Sequence, residues 1–490
     1  MKINQGAHLF FACSTADAQK RVPPRGERNG GGGRRRGDRR YARLGRRSGV
    51  GGLACLLGLG RAYSGGMKAL FGKLAAAWSR RAGLRWAAGL AAGWFVLCKP
   101  SSGVTEALGY GAGLWALWNW RKALAAWRNP VGVCFGLGVL WAVASAAWSP
   151  VPSGAARDLT KTASLVFGVW ALPAVFAGKG RVRTALAAGA GLLSVRLAAD
   201  LVRLAMARGV GRELLYWARY EHPYLFNHPN VSSMMAALSA LAWVALAAGG
   251  VRGGWRRAGL AAGLAVDMAY LVVMGSRGPQ IVFAAALLAY PLLALPGWKA
   301  RLAALAAVAA AGAGLWMAAG CINPRMEDST VGGFHGRDVV WKYVAERLVP
   351  EHPVRGFGFG KRTFEQVAYH DPARKPLRGA VEYPHAHSYW LMLAFQGGGV
   401  AVALWGAGWL ALAGGLLRAL RRAGQGTAPW RERLAAGAMP AFFLAAVGMI
   451  LLYGTADYPD NLIRDAQFML PALALAWAWP PADQAKEDAA

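Results

Sequence analysis

The sequence predicts an all-α polytopic membrane protein of about 12 transmembrane helices, with one large extracytoplasmic loop between spans 9 and 10. Three observations predict it. The 490-residue chain is 55% hydrophobic and only 16% charged, with a mean hydropathy of +0.27. That is too little charge to cover a soluble domain of this size. Apolar runs of about 20 residues recur along the chain, each matching the roughly 30 Å hydrocarbon core of a bilayer. Alternate short loops between these runs are basic.

Residues 1–66 stand apart from the spans. The stretch "RGERNGGGGRRRGDRRYARLGRRSGVGG" has no apolar period and buries no core, so the leader is expected to be disordered and basic. Two accounts fit it: a basic cytoplasmic tail, or a natural start at Met67, where "MKALFGKLAAAWSRRAGLRW" reads as an ordinary membrane-protein beginning. No cleavable signal peptide is expected, because the first long apolar run follows roughly 80 residues of chain. Residues 67–480 form the transmembrane domain, with spans expected near 82–98, 103–120, 131–148, 162–178, 184–203, 230–249, 257–275, 279–296, 301–320, 387–415, 434–454 and 463–480. Residues 481–490 are a polar tail.

The formal charge of +32 raises a nucleic-acid reading. The arginines argue against it, because they sit in the leader or at helix ends. Cys13, Cys55, Cys98, Cys134 and Cys321 show no CxxC spacing, so they read as small apolar fillers and not as a metal knuckle or a disulfide framework.

Loop charge orients the spans. With the N-terminus inside, the cytoplasmic loops carry Arg121, Lys122 and Arg128; Lys179, Arg181 and Arg183; Arg252, Arg256 and Arg257; Lys299 and Arg301; and Arg418, Arg421, Arg422, Arg431 and Arg433. Only Glu432 is acidic among them. This phase leaves 204–229, the turn "GSRG" at 275–278 and the long loop 321–386 outside. Arg277 then occupies a tiny extracytoplasmic turn, where positive charge is disfavoured. It either snorkels to head groups or awaits an anion.

The loop 321–386 holds most of the polar chemistry. "GRDVVWKYVAERLV" sets Val340, Val344 and Leu348 on one helical face, with Arg337 and Asp338 at its start. An amphipathic helix is expected there, on the membrane or across the mouth of the bundle. In "HPVRGFGFG" no strand precedes and no Gly-Lys-Ser/Thr follows, so Gly356, Gly358 and Gly360 read as turn residues and not as a nucleotide loop. His385 and His387 arrive just before the tenth span. Their i, i+2 spacing faces apart on a helix, and no HExxH or thiolate partner accompanies them. No metal and no other cofactor is expected.

On the outer face one imidazole therefore joins a set of arginines: Arg208, Arg212, Arg219, Arg277 and Arg337. Guanidinium forks suit diphosphate oxygens, and a neutral imidazole beside them can accept a proton from an attacking hydroxyl. Spans around such a site would hold a lipid tail. A lipid diphosphate donor with a hydroxyl acceptor fits economically. Below His387, Gly397, Gly398 and Gly399 open a face on which another helix can approach closely, or else mark a plain kink. Asp267, and Arg196 with Asp200 four residues apart, read as structural pairs within the spans.

These residues resemble a known family. "HSYWLMLAFQGGGVAVAL" is similar to the "HN-x-x-L…G-x-x-G" signature of the O-antigen ligase and polymerase family, with serine after His387 where asparagine is common. "GSRGPQI" resembles its Arg-x-x-x-Leu turn, with Ile281 for leucine. "FNHPNVSSMMA" resembles its Asn-Pro-Asn segment, with His228 inserted. "GRDVVWKYVAERLVPEHPVRGFGFG" resembles the stretch that ends in "P-x-x-G-x-G-x-G". The four occur in family order across roughly residues 140–475.

The resemblance implies an inverting, metal-independent membrane glycosyltransferase at the periplasmic face of the bacterial inner membrane. It would move an O-antigen-like glycan from a polyprenyl (undecaprenyl) diphosphate carrier to a lipid A–core hydroxyl. By the same resemblance His387 is the functional histidine and Arg277 a phosphate-binding arginine, with Arg219 or Arg212 as the second. Arg337, His385 and Tyr389 are candidate acceptor or loop contacts. A polymerase or a protein-glycosylating member of the family is the nearest rival. A flippase, from another class, would need charge along a midplane path and matching broken helices.

Overall fold

The computed structural model describes residues 102–456, apart from 176–178, 212–213, 216–217, 219–228, 252, 296, 323–336, 371–384 and 426–428. The leader, the polar tail, the expected spans at 82–98 and 463–480, and both Arg212 and Arg219 lie outside the described residues. Among the described residues the secondary structure is helical, without a strand. Seven helices there are long and apolar enough to cross a membrane.

The chain opens with α1 (Ser102–Trp118) and the short α2 (Trp120–Trp127), followed by α3 (Pro130–Ser145) and α4 (Pro152–Val175). Then come α5 (Lys179–Arg208), α6 (Pro229–Ala248), α7 (Gly254–Met274), α8 (Arg277–Ala294) and α9 (Trp298–Ile322). Helices α3, α4 and α6 each begin on a proline, whose fixed φ and missing N–H suit the first turn. Asn129 caps α3 by accepting the Gly132 amide at 3.1 Å. Helices α1, α4 and α9 overlap the expected spans at 103–120, 162–178 and 301–320.

The chain's centre is α6. It packs on α5, α7, α8 and on the last described helix, α13 (Trp430–Ala456). Its sequence, PNVSSMMAALSALAWVALAA, is rich in alanine and serine, so backbones can approach closely. Nearly every residue from Asn230 to Leu246 is buried. By contrast Leu140, Val195 and Leu410 on other spans are well exposed, as side chains facing lipid should be.

Polar links tie α5, α6 and α7 together inside the bundle. The Ser194 hydroxyl donates to the Asp267 carboxyl at 2.8 Å and accepts from Trp243 Nε1 at 3.0 Å. The Tyr270 hydroxyl donates to Asp200 at 3.0 Å. Both intramembrane carboxyl groups thus have interhelical partners, which lowers the cost of burying them. Asp200 takes a hydroxyl from the neighbouring helix α7 and also feels the charge of Arg196, the neighbour its i, i+4 spacing suggests.

One rim carries a repeated device. Trp120, Trp255, Trp298 and Trp430 stand at the first or second position of α2, α7, α9 and α13, all more than half exposed. Each is followed by a cation that lies over its ring: Arg121 at 5.5 Å, Arg256 at 5.8 Å, Lys299 at 5.9 Å and Arg431 at 5.4 Å. A ring at head-group depth with a cation toward water is what a membrane interface favours. Arg183 from α5 reaches the same rim and donates to the Ala435 carbonyl at 2.9 Å. Starts of α6, α8 and the next long helix lie at the opposite rim.

That next helix is α12 (Tyr389–Gly424), and it is broken. Gly398 has φ 64° and ψ −161°, outside the helical region. The Tyr389 hydroxyl accepts from Trp409 Nε1 at 3.4 Å, although 20 residues separate them. At 1.5 Å per residue a straight helix would hold their Cα atoms roughly 30 Å apart. The first two turns, 389–397, are therefore folded back against the longer part, 399–424.

The long loop fills the break. It enters through α10 (Arg337–Tyr343), which continues in a π turn (Val344–Leu348) and a last turn (Val349–Glu351). Val340, Val344 and Leu348 are fully buried, the face that their spacing marks out. Residues 353–358 then bond backbone to backbone with α12. Phe357 N–H donates to Phe395 O at 2.7 Å and Gly358 N–H to Gln396 O at 2.9 Å. In return Gly399 N–H donates to Pro353 O at 2.7 Å, and Trp141 Nε1 of α3 reaches Gly397 O at 2.8 Å. Of the two readings of the glycine run the structure shows the break, and the close approach at Gly398 is made by this loop, whose amides satisfy the freed carbonyls together with the Trp141 indole. Gly356, with φ 67°, meets the same seam, where a Cβ would lie 2.6 Å from the Phe395 carbonyl oxygen. Past it, α11 (Lys361–Glu365) runs into a second π turn (Gln366–His370), and Asp158 of α4 accepts the Lys361 amide at 3.0 Å.

At Gly398 a Cβ would overlap the Val354 carbonyl, and the left-handed φ adds strain. Gly398→Ala is expected to lower stability by at least about 2 kcal/mol. Gly406→Ala, on the same helix with open space around it, should be neutral or stabilising by up to about 1 kcal/mol. Thermal unfolding of the detergent-solubilised variants checks the pair.

Candidate active site

His387 lies between the loop and the folded-back start of α12. Ser388 is the N-cap, extended at φ −152° and accepting the Leu391 amide at 3.5 Å. The residue before it pays a conformational cost: His387, at φ 49°, is the one described non-glycine residue with positive φ. Two bonds hold its backbone there. Its N–H donates to His385 Nδ1 at 3.2 Å, and its carbonyl accepts from Trp341 Nε1 of α10 at 3.2 Å. Because His385 Nδ1 accepts, neutral His385 carries its proton on Nε2. The two imidazole centroids stand 4.2 Å apart at 51°. His385 is buried and His387 half-buried.

Tyr389 is buried and packs across from α13, where a Cβ on Gly454 would lie 3.1 Å from the Tyr389 Cβ. Its hydroxyl is engaged by Trp409, so it anchors the folded-back turns.

Arg277 is the first residue of α8, exposed, two residues after the αL cap of α7 at Gly275 (φ 56°). Ser276, almost wholly buried, donates its hydroxyl to Asn230 Oδ1 at 2.6 Å. This bond ties the start of α8 to the start of α6, within the "FNHPN" stretch. Next to Arg277, Gly278 faces Tyr453 of α13, with its virtual Cβ 3.4 Å from that ring.

The last turn of α13 is therefore the meeting point. Tyr453 lies against Gly278, Gly454 against Tyr389, and the Ala456 carbonyl accepts from Arg337 Nη1 at 2.7 Å. Segments bearing Arg277, Arg337 and His387 gather around residues 453–456, at the rim opposite the tryptophan–cation pairs. Arg337, considered from sequence as an acceptor or loop contact, here donates through Nη1 to the last turn of α13. The sequence reading missed Trp341, Ser276 and Tyr453. Trp341 is the third residue after "G-R-D" on a helix whose other face is apolar, and nothing in that pattern pointed to His387.

Chemically the arrangement offers an imidazole held at its backbone by two side chains, and an exposed guanidinium at a helix start. A helix N-terminus adds partial positive charge beside Arg277. An anion docked there would meet both.

No curated protein matches the chain. Residues 237–406 match the family model described as O-antigen ligase. The match runs from within α6 to the bend of α12 and just past it, taking in Arg277, the 353–358 seam and His387. The chain is a polytopic membrane protein that contains a domain of the O-antigen ligase family, a family of membrane glycan-transferring ligases and polymerases.

Proposed function

We propose that the protein transfers an O-antigen-like glycan from a polyprenyl (undecaprenyl) diphosphate carrier to a hydroxyl of lipid A–core oligosaccharide, on the outer face of the inner membrane. The observation that carries this reading is the meeting of the Arg277, Arg337 and His387 segments around the end of α13, at the rim opposite the basic one. The family match supports glycan transfer in general, and the finer substrate assignment is ours.

In this reading the donor diphosphate sits at the start of α8, with Arg277 and a second arginine, Arg219 or Arg212, on its oxygens. Those cations offset charge that builds on the leaving diphosphate, a preorganised term worth several kcal/mol. His387 takes the proton of the acceptor hydroxyl as the oxygen attacks the anomeric carbon; general base catalysis of this kind contributes about 10² to 10⁴ in rate. The C–O bond to diphosphate breaks as the new glycosidic bond forms, so one displacement inverts the anomeric centre. The leaving diphosphate supplies the driving force, without nucleotide.

His387→Ala is expected to leave the protein folded and membrane-inserted while glycan transfer falls by at least about 10²-fold, measured with a defined polyprenyl diphosphate glycan in proteoliposomes. Retained activity removes the base role. Arg277→Lys keeps the charge but loses the fork, and a marked loss of transfer with intact folding is expected. Wild-type rates in Arg277→Lys would mean that bidentate contact at this position is dispensable. Treatment with a chelator should leave transfer unchanged; inhibition restored by a divalent ion would overturn the metal-free mechanism. In a deletion strain, long chains left on the carrier indicate the ligase, whereas single repeats indicate a polymerase.

A further inference from the structure

A second cation cluster lies at the opposite, basic rim, where the end of α8, the start of α9, the end of α12 and the start of α13 enclose a cavity of about 260 Å³. Arg301, Arg421 and Arg433 line it, and no acidic residue does. We propose that this cavity binds the phosphate ester of an anionic phospholipid, with these three arginines as its ligands.

Three guanidinium groups around one small space repel one another unless an anion joins them. Snorkelling to water does not account for Arg433, because its Nε is buried and has no hydrogen-bond partner. A donor left unmade in that way is costly, and a phosphate oxygen would complete it. Arg301 is already fixed through Nε, which donates to the Leu295 carbonyl at 2.8 Å, so its terminal nitrogens remain for a ligand. The rest of the wall includes Leu292, Leu293 and Leu420, which suit an acyl chain below the phosphate. Trp298 and Trp430, each under its own cation, open α9 and α13 beside the cavity and set it at head-group depth. Basic pockets between spans at such a depth suit anionic head groups.

A free phosphate shares the oxyanion chemistry but not the leucine wall, and the test separates the two. The full chain, purified in detergent, is equilibrated with equal amounts of phosphatidylglycerol and phosphatidylcholine, and retained lipid is counted by native mass spectrometry. Wild type should retain phosphatidylglycerol roughly tenfold over the variants Arg433→Gln and Arg421→Gln, both checked for an unchanged melting temperature. Having two variants protects the test should Arg433→Gln fail to fold. Equal retention by wild type and either folded variant overturns the proposal. Displacement of the lipid by millimolar inorganic phosphate assigns the cavity to the free anion and overturns the lipid source.

Discussion

A helix that breaks where it is buried must find new partners for the backbone groups it frees, since no water is there to take them. That requirement organises the half of this protein that carries His387. At Gly398 the long helix α12 turns back on itself, and the carbonyls of Phe395, Gln396 and Gly397 point away from their own ladder. The loop at 353–358 and the indole of Trp141 satisfy them. Each such bond is worth only about 1 kcal/mol net, but leaving the group unmade in an apolar setting costs more. The seam therefore fixes the loop to the helix by exclusion of alternatives as much as by attraction.

From that seam the rest follows outward. With the loop held, α10 lies with Val340, Val344 and Leu348 in the core and presents Trp341 to the His387 carbonyl. With the first turns of α12 folded back, Tyr389, two residues after His387, rests against Gly454 near the end of α13. The start of α8 reaches the same turn through Gly278 and Tyr453, bringing Arg277. Central helix α6, small-sided and buried, lets α5, α7, α8 and α13 draw close enough for this to happen.

Much of this was legible in sequence. Hydropathy and basic loops locate the described helices, and the spacing of Val340, Val344 and Leu348 marks the buried face of α10. The glycines of "GFGFG" read as turn residues and do take positive φ, at 67°, 108° and 115°. The bend itself was not legible. A Gly-Gly-Gly run is equally compatible with close helix packing and with a break, and what decides is a backbone segment some 40 residues upstream, which no local pattern can reveal. The Arg337 bond to α13 was hidden for the same reason, because its partner is a carbonyl more than 100 residues away. The tryptophan–cation pairs at 120–121, 255–256, 298–299 and 430–431 were visible as dipeptides, and they mark the interface as directly as the count of basic loops does.

The seam also defines what can be exchanged between relatives. Since the loop and the bent span share a single set of main-chain bonds, neither is a module alone: a grafted loop without its own glycine-broken helix would arrive with unmatched amides, and the helix without the loop with unmatched carbonyls. The smallest transplantable unit runs from the proline at 353 to the valine at 400, carrying its histidine with it.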